Sequence, residues 1–363
     1  MNFTPIAKTI IEHSLELKPG DYLYISARGE SQIPLAKELE RLAHEKGIKT
    51  TYLFKTVQEY EDFFKNSTEK EVDEFIAFES KIMRDCDGVA LLRENISPNF
   101  AIEAQIKCNK YHLEVHEKIR LKKKWLLTIV PCMEECNGDT KLYNEMMETF
   151  LASCSIDYRK MSKAMDNLCS RIEKADKVRI IAKDTDLSFS IKGMPAIKCI
   201  GDRNLPDGEV FTAPVKESVN GYITYNLPSK KNGFTHNNIC LHFKDGKIIK
   251  ESSNHNKELT NIFNMDEGAR YIGEFSFGLN PLVNKCFNNI LYDEKISGSI
   301  HLTPGSAYDE CFNGNKSALH WDLVQSHTPE FGGGEIYLDG ELIRKDGRFV
   351  VEDLLCLNPE NLV

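Results

Sequence analysis

Short apolar runs alternate with stretches of helical period along the first half of the chain. The runs at residues 21–27, 50–54, 88–92 and 125–130 have the length and content of buried strands. Between the first two runs, Leu35, Leu39 and Leu42 recur at helical spacing, and Gly47 follows where such a helix would end. This alternation predicts an α/β domain with a mostly parallel sheet covered by helices.

The pattern changes in the second half. A helical stretch over residues 161–175 precedes the strand-like run 177–182, and beyond it Gly, Asn and Pro become frequent. Short runs such as 221–225, 239–243 and 334–340 are separated by turn residues, which indicates a mainly antiparallel, barrel-like α+β domain. The 363 residues also suit two domains. We therefore expect an N-terminal domain over residues 1–176 and a second domain over residues 177–363.

Composition narrows the functional classes. A formal charge of -9 disfavours binding to nucleic acid, which requires concentrated Lys and Arg against the phosphates. No apolar stretch is long enough to cross a membrane, and the first residues lack the apolar core of a signal peptide. The eleven cysteines are scattered without a Cys-x-x-Cys motif, which is typical of reduced thiols. We expect a cytoplasmic protein without nucleic-acid or membrane partners.

Familiar catalytic signatures are missing from the sequence. There is no Gly-x-x-x-x-Gly-Lys phosphate loop. The pairs His44-Glu45 and His116-Glu117 begin like the zinc-binding helix of metallopeptidases, but neither has a second histidine four places after the first. We interpret both pairs as exposed helix residues.

Residues with metal-ligand side chains occur within apolar strings between positions 204 and 322. They are Glu209, Glu274, His301, His320 and Asp322. Burying such groups without partners costs several kcal/mol. His320 and Asp322 are two apart, so in a strand both side chains point to one face. Taken alone, such a glutamate is more often a surface residue of an edge strand, and such a histidine is more often a hydrogen-bonded core group than a ligand. The His-x-Asp spacing also occurs often by chance, so spacing alone does not establish a metal site.

Five separated strings, taken in order, resemble one enzyme family. They are residues 207–214, residues 272–275, residues 293–295, His301 with Tyr308 seven places on, and residues 319–322. Together they resemble the thermophilic-type metalloaminopeptidases, with weaker similarity through the N-terminal half. The interval from Glu294 to His301 is longer here than in the family's best-known members.

The resemblance implies a set of site residues in the C-terminal domain. Tyr308 corresponds to the catalytic tyrosine, and the metal-site residues correspond to Glu209, Glu274, Glu294, His301, His320 and Asp322. Four carboxylates and two imidazoles suit two divalent ions (Zn, Co, Mn or Mg) better than one catalytic zinc. Such an ion pair holds a bridging hydroxide and polarises the scissile carbonyl, and Glu274 is our choice for the bridging carboxylate. The implied substrates are short peptides with a free N-terminus. The implied assembly is a homodimer whose active sites face an enclosed space.

Two other functions fit parts of this pattern. His301, His320 and Asp322 alone would form the two-histidine, one-carboxylate triad of a non-haem iron dioxygenase acting on a small dihydroxylated aromatic ring. The additional glutamates favour the aminopeptidase, because a mononuclear site does not need them. A noncatalytic binding protein on an enzyme-like scaffold is disfavoured because every expected ligand type is present.

Overall fold

The computed structural model describes residues 1–95 and 100–363. The chain forms two compact units. The N-terminal unit comprises residues Met1–Ile156 together with Gly201–Pro206. The C-terminal unit comprises Asp157–Ile200 and Asp207–Val363.

The N-terminal unit is built on a five-stranded parallel sheet. Its first four strands are β1 (Tyr22–Arg28), β2 (Lys49–Lys55), β3 (Gly88–Arg93) and β4 (Lys124–Ile129). The fifth strand is the short segment Asn204–Leu205, which returns to pair with β4. The spatial order is β2, β1, β3, β4 and then this segment, with every pairing parallel. The predicted mostly parallel sheet is confirmed.

Helices follow the strands as the sequence pattern predicts. They are α1 (Thr4–Thr9), α2 (Ile33–Glu45), α3 (Val57–Asn66), α4 (Glu69–Asp85), α5 (Ile102–Tyr111) and α6 (Thr140–Ser153). Tyr24, Val89 and Leu91 of the sheet share one core with buried residues of α3, α4 and α5. A π-helical turn, His112–Glu117, continues α5.

The C-terminal unit consists mainly of antiparallel sheets, as predicted. The sheet of eight comprises β5 (Lys177–Ala182), β6 (Thr185–Ser190), β10 (Asn220–Thr224), β13 (Cys240–Lys244), β14 (Lys247–Ser252), β18 (Gly334–Leu338), β19 (Glu341–Lys345) and β20 (Arg348–Phe349). The sheet of five comprises β7 (Ile197–Cys199), β9 (Glu209–Thr212), β15 (Ile272–Gly278), β16 (Ser299–Pro304) and β17 (Leu323–Ser326). A small hairpin joins β11 (Ser229–Lys231) to β12 (Phe234–His236), and Asn204–Leu205 is β8 in chain order.

The C-terminal unit also contains helices α7 (Tyr158–Lys174), α8 (Asn256–Phe263), α9 (Ile290–Asp293) and α10 (Pro359–Leu362). Helix α7 buries Met161, Met165, Leu168 and Ile172 at helical spacing, and it contacts β7 and β9. The sequence-based boundary between residues 176 and 177 differs from this division, because the apolar face of α7 packs on strands of the C-terminal unit. Within the two described ranges, no helix combines the length and the apolarity needed to cross a bilayer.

Candidate metal centre

One face of the five-stranded sheet collects the polar residues of its strands. Along β15, Glu274, Ser276 and Gly278 alternate with Phe275 and Phe277, so the polar and apolar side chains take opposite faces. Phe275 packs edge-on against Phe189 of β6 at 5.1 Å between ring centroids. The apolar face therefore belongs to the core, and the opposite face is free to carry chemistry.

Strand register brings the predicted residues onto that polar face. Ser276 pairs with His301 of β16, and Gly278 pairs with Glu209 of β9. His301 pairs with Val324 of β17, so Asp322, two residues before Val324, points the same way. Residues more than a hundred positions apart in the sequence thus share one surface of one sheet.

A bulge adjusts the position of Glu274. The register between β15 and β16 shifts between Ile272 and Glu274, at Gly273. A Cβ on Gly273 would lie 2.5 Å from the carbonyl oxygen of Gly305, so only glycine permits this close approach. The same loop presents the Ser306 carbonyl oxygen, which lies 2.8 Å from Nδ1 of His320. The bulge therefore positions both a carboxylate and the loop that orients a histidine.

The carboxylate of Glu274 lies between the two histidines. Its Oε1 is 3.1 Å from Nε2 of His301, and its Oε2 is 3.6 Å from Nε2 of His320. Oε2 of Glu209 is 3.5 Å from Nε2 of His301, and Oδ1 of Asp322 is 3.4 Å from Nε2 of His320. Ligand atoms of Glu209, Glu274 and His301 lie within 4.8 Å of one another, as do those of Glu274, His320 and Asp322. The structure thus forms two three-residue groups that share Glu274.

Several atoms of these groups lack ordinary hydrogen-bond partners. Oε2 of Glu274 and Nε2 of His320 are buried, and neither has a hydrogen bond among the described residues. The Nδ1–H of His320 donates to the Ser306 carbonyl, which directs Nε2 at the carboxylates. Buried polar atoms left in this state are costly unless a ligand satisfies them. The donor set of oxygen and imidazole nitrogen therefore fits divalent metal ions.

Hydroxyl groups hold the carboxylates in place. The Ser276 hydroxyl donates to Oε2 of Glu209 at 3.0 Å, and the Thr303 hydroxyl donates to Oδ1 of Asp322 at 2.6 Å. Hydrogen bonds of this kind fix the orientation of metal ligands. Sequence reasoning missed both hydroxyls, although each lies two residues from a predicted ligand, at the spacing that places strand residues on one face.

Lys295 is the largest departure from the sequence-based picture. Its side chain is fully buried, and its ammonium contacts Oε1 of Glu209 at 2.6 Å, Oε1 of Glu294 at 2.8 Å and Oδ1 of Asp207 at 3.3 Å. The structure therefore places Glu294, which directly follows α9, on an ammonium group, outside the two groups that share Glu274. Asp207 and Glu209 are two apart in sequence, a spacing that could have drawn attention to Asp207.

The charges of the site shift the pKa values of its histidines. Burial opposes a positive charge on His301, but the neighbouring carboxylates of Glu274 and Glu209 outweigh it and raise the pKa to about 10. Burial likewise opposes the charge of His320, while Asp322 and Glu274 raise its pKa to about 9. Both imidazoles thus experience an excess of negative charge that a bound cation would neutralise.

Tyr308 lies at the edge of the site. Its ring centroid is 4.6 Å from that of His320 and 5.8 Å from that of Phe211, and the residue is 47% exposed. Desolvation of its hydroxyl and the charges of Asp322 and Glu274 raise the pKa of Tyr308. The phenol therefore keeps its proton at neutral pH and can act as a hydrogen-bond donor.

Known structures share this architecture. Wild-type AmpT from Thermus thermophilus superposes with a TM-score of 0.78 over 96% of this chain and 99% of that chain, at 18% sequence identity. The 2,5-dihydroxypyridine dioxygenase from Pseudomonas putida superposes with a TM-score of 0.65 over 97% and 98% of the two chains, at 14% identity. At these identities the likeness concerns the fold.

Sequence comparison is more specific. Aminopeptidase 2 from Geobacillus stearothermophilus is 32% identical over 164 residues, which are 40% of this chain and 37% of the relative. The match thus spans less than half of the length of that curated relative. The sequence pattern of the thermophilic metalloprotease (M29) family matches residues 2–349, almost the whole chain. The chain therefore belongs to the thermophilic metalloprotease (M29) family.

Proposed function

We propose that the protein is a metal-dependent aminopeptidase that removes the N-terminal residue of short peptides. The observation that carries the proposal is the position of Glu274. Its two oxygens face two different histidines, and each histidine has a further carboxylate beside it. A carboxylate in this position is suited to bridge two divalent ions, which here are Zn, Co, Mn or Mg.

The two groups divide the ligands between the ions. Glu209, Glu274 and His301 would hold one ion, and Glu274, His320 and Asp322 the other. Two ions held by these residues would supply a hydroxide nucleophile and would polarise the scissile carbonyl. Glu294 contributes a carboxylate at the edge of this set, held by Lys295.

Other residues of the chain act on the substrate. The Tyr308 phenol donates a hydrogen bond to the oxygen that becomes negative in the transition state, the kind of interaction worth about 10²–10³ in rate. The free amine of the substrate would either bind one of the ions or pair with a carboxylate that the ions leave unused. Either interaction accounts for a requirement for an unblocked N-terminus.

The test combines metal content with substrate choice. Purified protein should contain about two divalent ions per chain and should hydrolyse aminoacyl-chromogenic substrates. The matched control is the same substrate with an acetylated amine, which should not be cleaved. If the protein instead binds one iron per chain and consumes oxygen with a dihydroxylated aromatic ring, the function is that of the dioxygenase.

We also propose a homodimer, on the basis of the family resemblance. An enclosed space between two active sites would restrict access to short or flexible peptides. Light scattering at micromolar concentration measures the mass directly. A monomeric mass would remove the explanation for selectivity by length, while the chemistry of the metal centre would be unaffected.

A further inference from the structure

A cationic cleft lies in the N-terminal unit, at the carboxyl ends of its strands. Arg28, Lys55 and Arg93 are the last residues of β1, β2 and β3, respectively. Arg28 is in direct register with Lys55 on one side and with Arg93 on the other. Like charges in adjacent register destabilise a sheet. Three of them side by side therefore require an explanation.

The strand order places this cleft where α/β sheets bind ligands. From β1 the chain moves outward to β2 and then returns across β1 to β3. The order reverses between β1 and β3, and ligands of open α/β sheets bind outside the carboxyl ends of the strands at such a reversal. Arg28 and Arg93 stand on the two sides of this point.

The protein provides little negative charge to balance the three cations. No acidic side chain in residues 1–95 or 100–363 forms an ion pair with Arg28, Lys55 or Arg93. Glu79 is a buried carboxylate whose charge acts on Lys55 and Arg93. Its two oxygens accept hydrogen bonds from the hydroxyls of Tyr24 at 2.8 Å and Tyr111 at 2.6 Å. Both carboxylate oxygens of Glu79 are therefore hydrogen-bonded to tyrosines rather than to the three cations.

The three cations differ in how they are held. Arg93 donates to the Ser26 carbonyl at 2.6 Å, so its position is fixed. The guanidinium of Arg28 stacks 4.6 Å above the Tyr60 ring, and its buried Nε has no hydrogen-bond partner in the described part of the chain. The Lys55 ammonium lies 3.9 Å from the centroid of the Phe75 ring. A buried donor without an acceptor points to a ligand that supplies one.

Two histidines complete the wall of the cleft. His112 and His116 lie on the π-helical turn, with ring centroids 5.0 Å apart. The sequence predicted that His44 and His116 are both exposed. His44 is exposed, which confirms the prediction, whereas His116 is buried, so the prediction for His116 is wrong. The side chain of Glu117 is outside the described part of the chain. Although a histidine pair at this spacing suggests a metal site, the adjacent arginines repel a cation.

We propose that this cleft binds the phosphoryl group of a small molecule, either inorganic phosphate or a phosphate monoester. Three cations and one carboxylate leave a net charge of about +2, which matches a phosphate dianion better than a carboxylate. Guanidinium groups bind phosphate oxygens in pairs, and the Nε–H of Arg28 has no acceptor among the described residues. The cavity volume of the cleft is about 30 Å³, space for a few water-sized atoms, so only a small anionic group fits there.

The test is calorimetric titration of the full-length protein with inorganic phosphate and, separately, with a phosphate monoester. Arg28→Gln should weaken binding of both by about tenfold or more, because a charge-assisted pair of hydrogen bonds is lost. Arg28→Lys should fall between Gln and wild type. Arg41→Gln is the matched control, since Arg41 pairs with Glu38 on the surface of α2 and should not affect binding.

Two control measurements show whether phosphate binds at this cleft rather than at the metal centre, and whether the cleft prefers phosphate to a carboxylate. His320→Ala, which impairs the metal centre, should bind phosphate as wild type does, and acetate should bind more weakly than phosphate.

Arg28→Gln should melt no lower than wild type without phosphate, because one of three like charges is removed. Lys55→Gln tests the same cleft from the neighbouring strand.

Several results would overturn the proposal. They are no phosphate binding by wild type at millimolar concentration, unchanged affinity in both Arg28→Gln and Lys55→Gln, and loss of binding in His320→Ala. Equal affinity for acetate would overturn the phosphoryl assignment. None of these results bears on peptide hydrolysis, so the proposed aminopeptidase activity can fail or hold independently.

Discussion

Two histidine pairs in this molecule experience opposite electrostatic surroundings. In the C-terminal unit, carboxylates overcome the effect of burial and raise the pKa of His301 to about 10 and that of His320 to about 9. In the N-terminal unit, burial and the neighbouring Arg28 lower the pKa of His112 to about 4. Burial and Arg93 lower the pKa of His116 well below its usual range.

The difference shows how the same side chain serves opposite ligands. Among carboxylates, an imidazole takes part in a site whose excess negative charge attracts metal ions. Among guanidinium groups, a neutral imidazole lines a cleft whose excess positive charge attracts an anion. The sign of the unbalanced charge around a histidine, rather than the histidine itself, indicates what the site binds. The following experiments test this contrast, from the largest expected effect to the smallest.

His320→Ala should have the largest effect. Because a proposed ligand of one ion is lost, we expect less than the wild-type amount of bound metal, and kcat/KM lower by about 10³-fold or more. His242→Ala is the matched control, because His242 stacks on Tyr222 in the eight-stranded sheet and takes no part in the cluster. Metal analysis and steady-state kinetics of both variants provide the measurement. Wild-type metal content in His320→Ala would contradict the assignment of this ligand.

Lys295→Met tests the charge balance of the acidic cluster. The substitution removes the buried ammonium that Asp207, Glu209 and Glu294 share, so the metal-free protein should lose about 3–5 kcal/mol of stability. Added divalent ions should then stabilise the variant more than wild type, because they restore positive charge. Urea unfolding with a chelator and with added metal measures both effects.

The control for that substitution is Lys198→Met. Lys198 forms a partly exposed pair with Asp166 at 2.7 Å, so its loss should cost less than about 1 kcal/mol. If Lys295→Met and Lys198→Met both lose less than about 1 kcal/mol of unfolding free energy, the buried ammonium of Lys295 does not balance the charge of the carboxylates.

Tyr308→Phe removes one hydroxyl from the edge of the metal centre. Fold and metal content should remain, while kcat falls by about 10²-fold or more with little change in KM, as for an interaction made mainly in the transition state. Tyr222→Phe, at an exposed position of the other sheet, should be neutral. Near-full activity of Tyr308→Phe with metal bound would make this tyrosine a packing residue only.

His116→Gln probes the cationic cleft and has the smallest expected effect. The pKa of His116 is lower in the folded protein than in the unfolded chain. As the pH falls below about 6.5, the unfolded chain therefore binds a proton before the folded protein does, and the free energy of unfolding decreases. His116→Gln should reduce the slope of the unfolding free energy against pH by up to about 1.4 kcal/mol per pH unit. Thermal unfolding between neutral and mildly acidic pH measures it. An unchanged slope would mean that His116 is not kept neutral by its surroundings.

The sequence by itself determined the local elements and the chemistry that they carry. Strands β1 to β4 match the predicted apolar runs to within one residue at each end, because the inner part of a parallel sheet strand packs against helices and is apolar. The candidate ligand types were also readable, since Glu274 and His301 interrupt apolar strings where an unpaired charge would be costly. Ser276 and Thr303 followed the same two-residue spacing and could have been found.

Only the tertiary structure decided which charges meet. Strand register places Arg28 between Lys55 and Arg93, and the turn after α9 places Lys295 among three carboxylates. Neither arrangement leaves a local pattern in the sequence, because each joins residues from separate strands and loops. Side-chain periodicity reports only which face a residue occupies, whereas register, bulges and chain reversal decide its neighbours, and those neighbours fix the sign of the charge at each site.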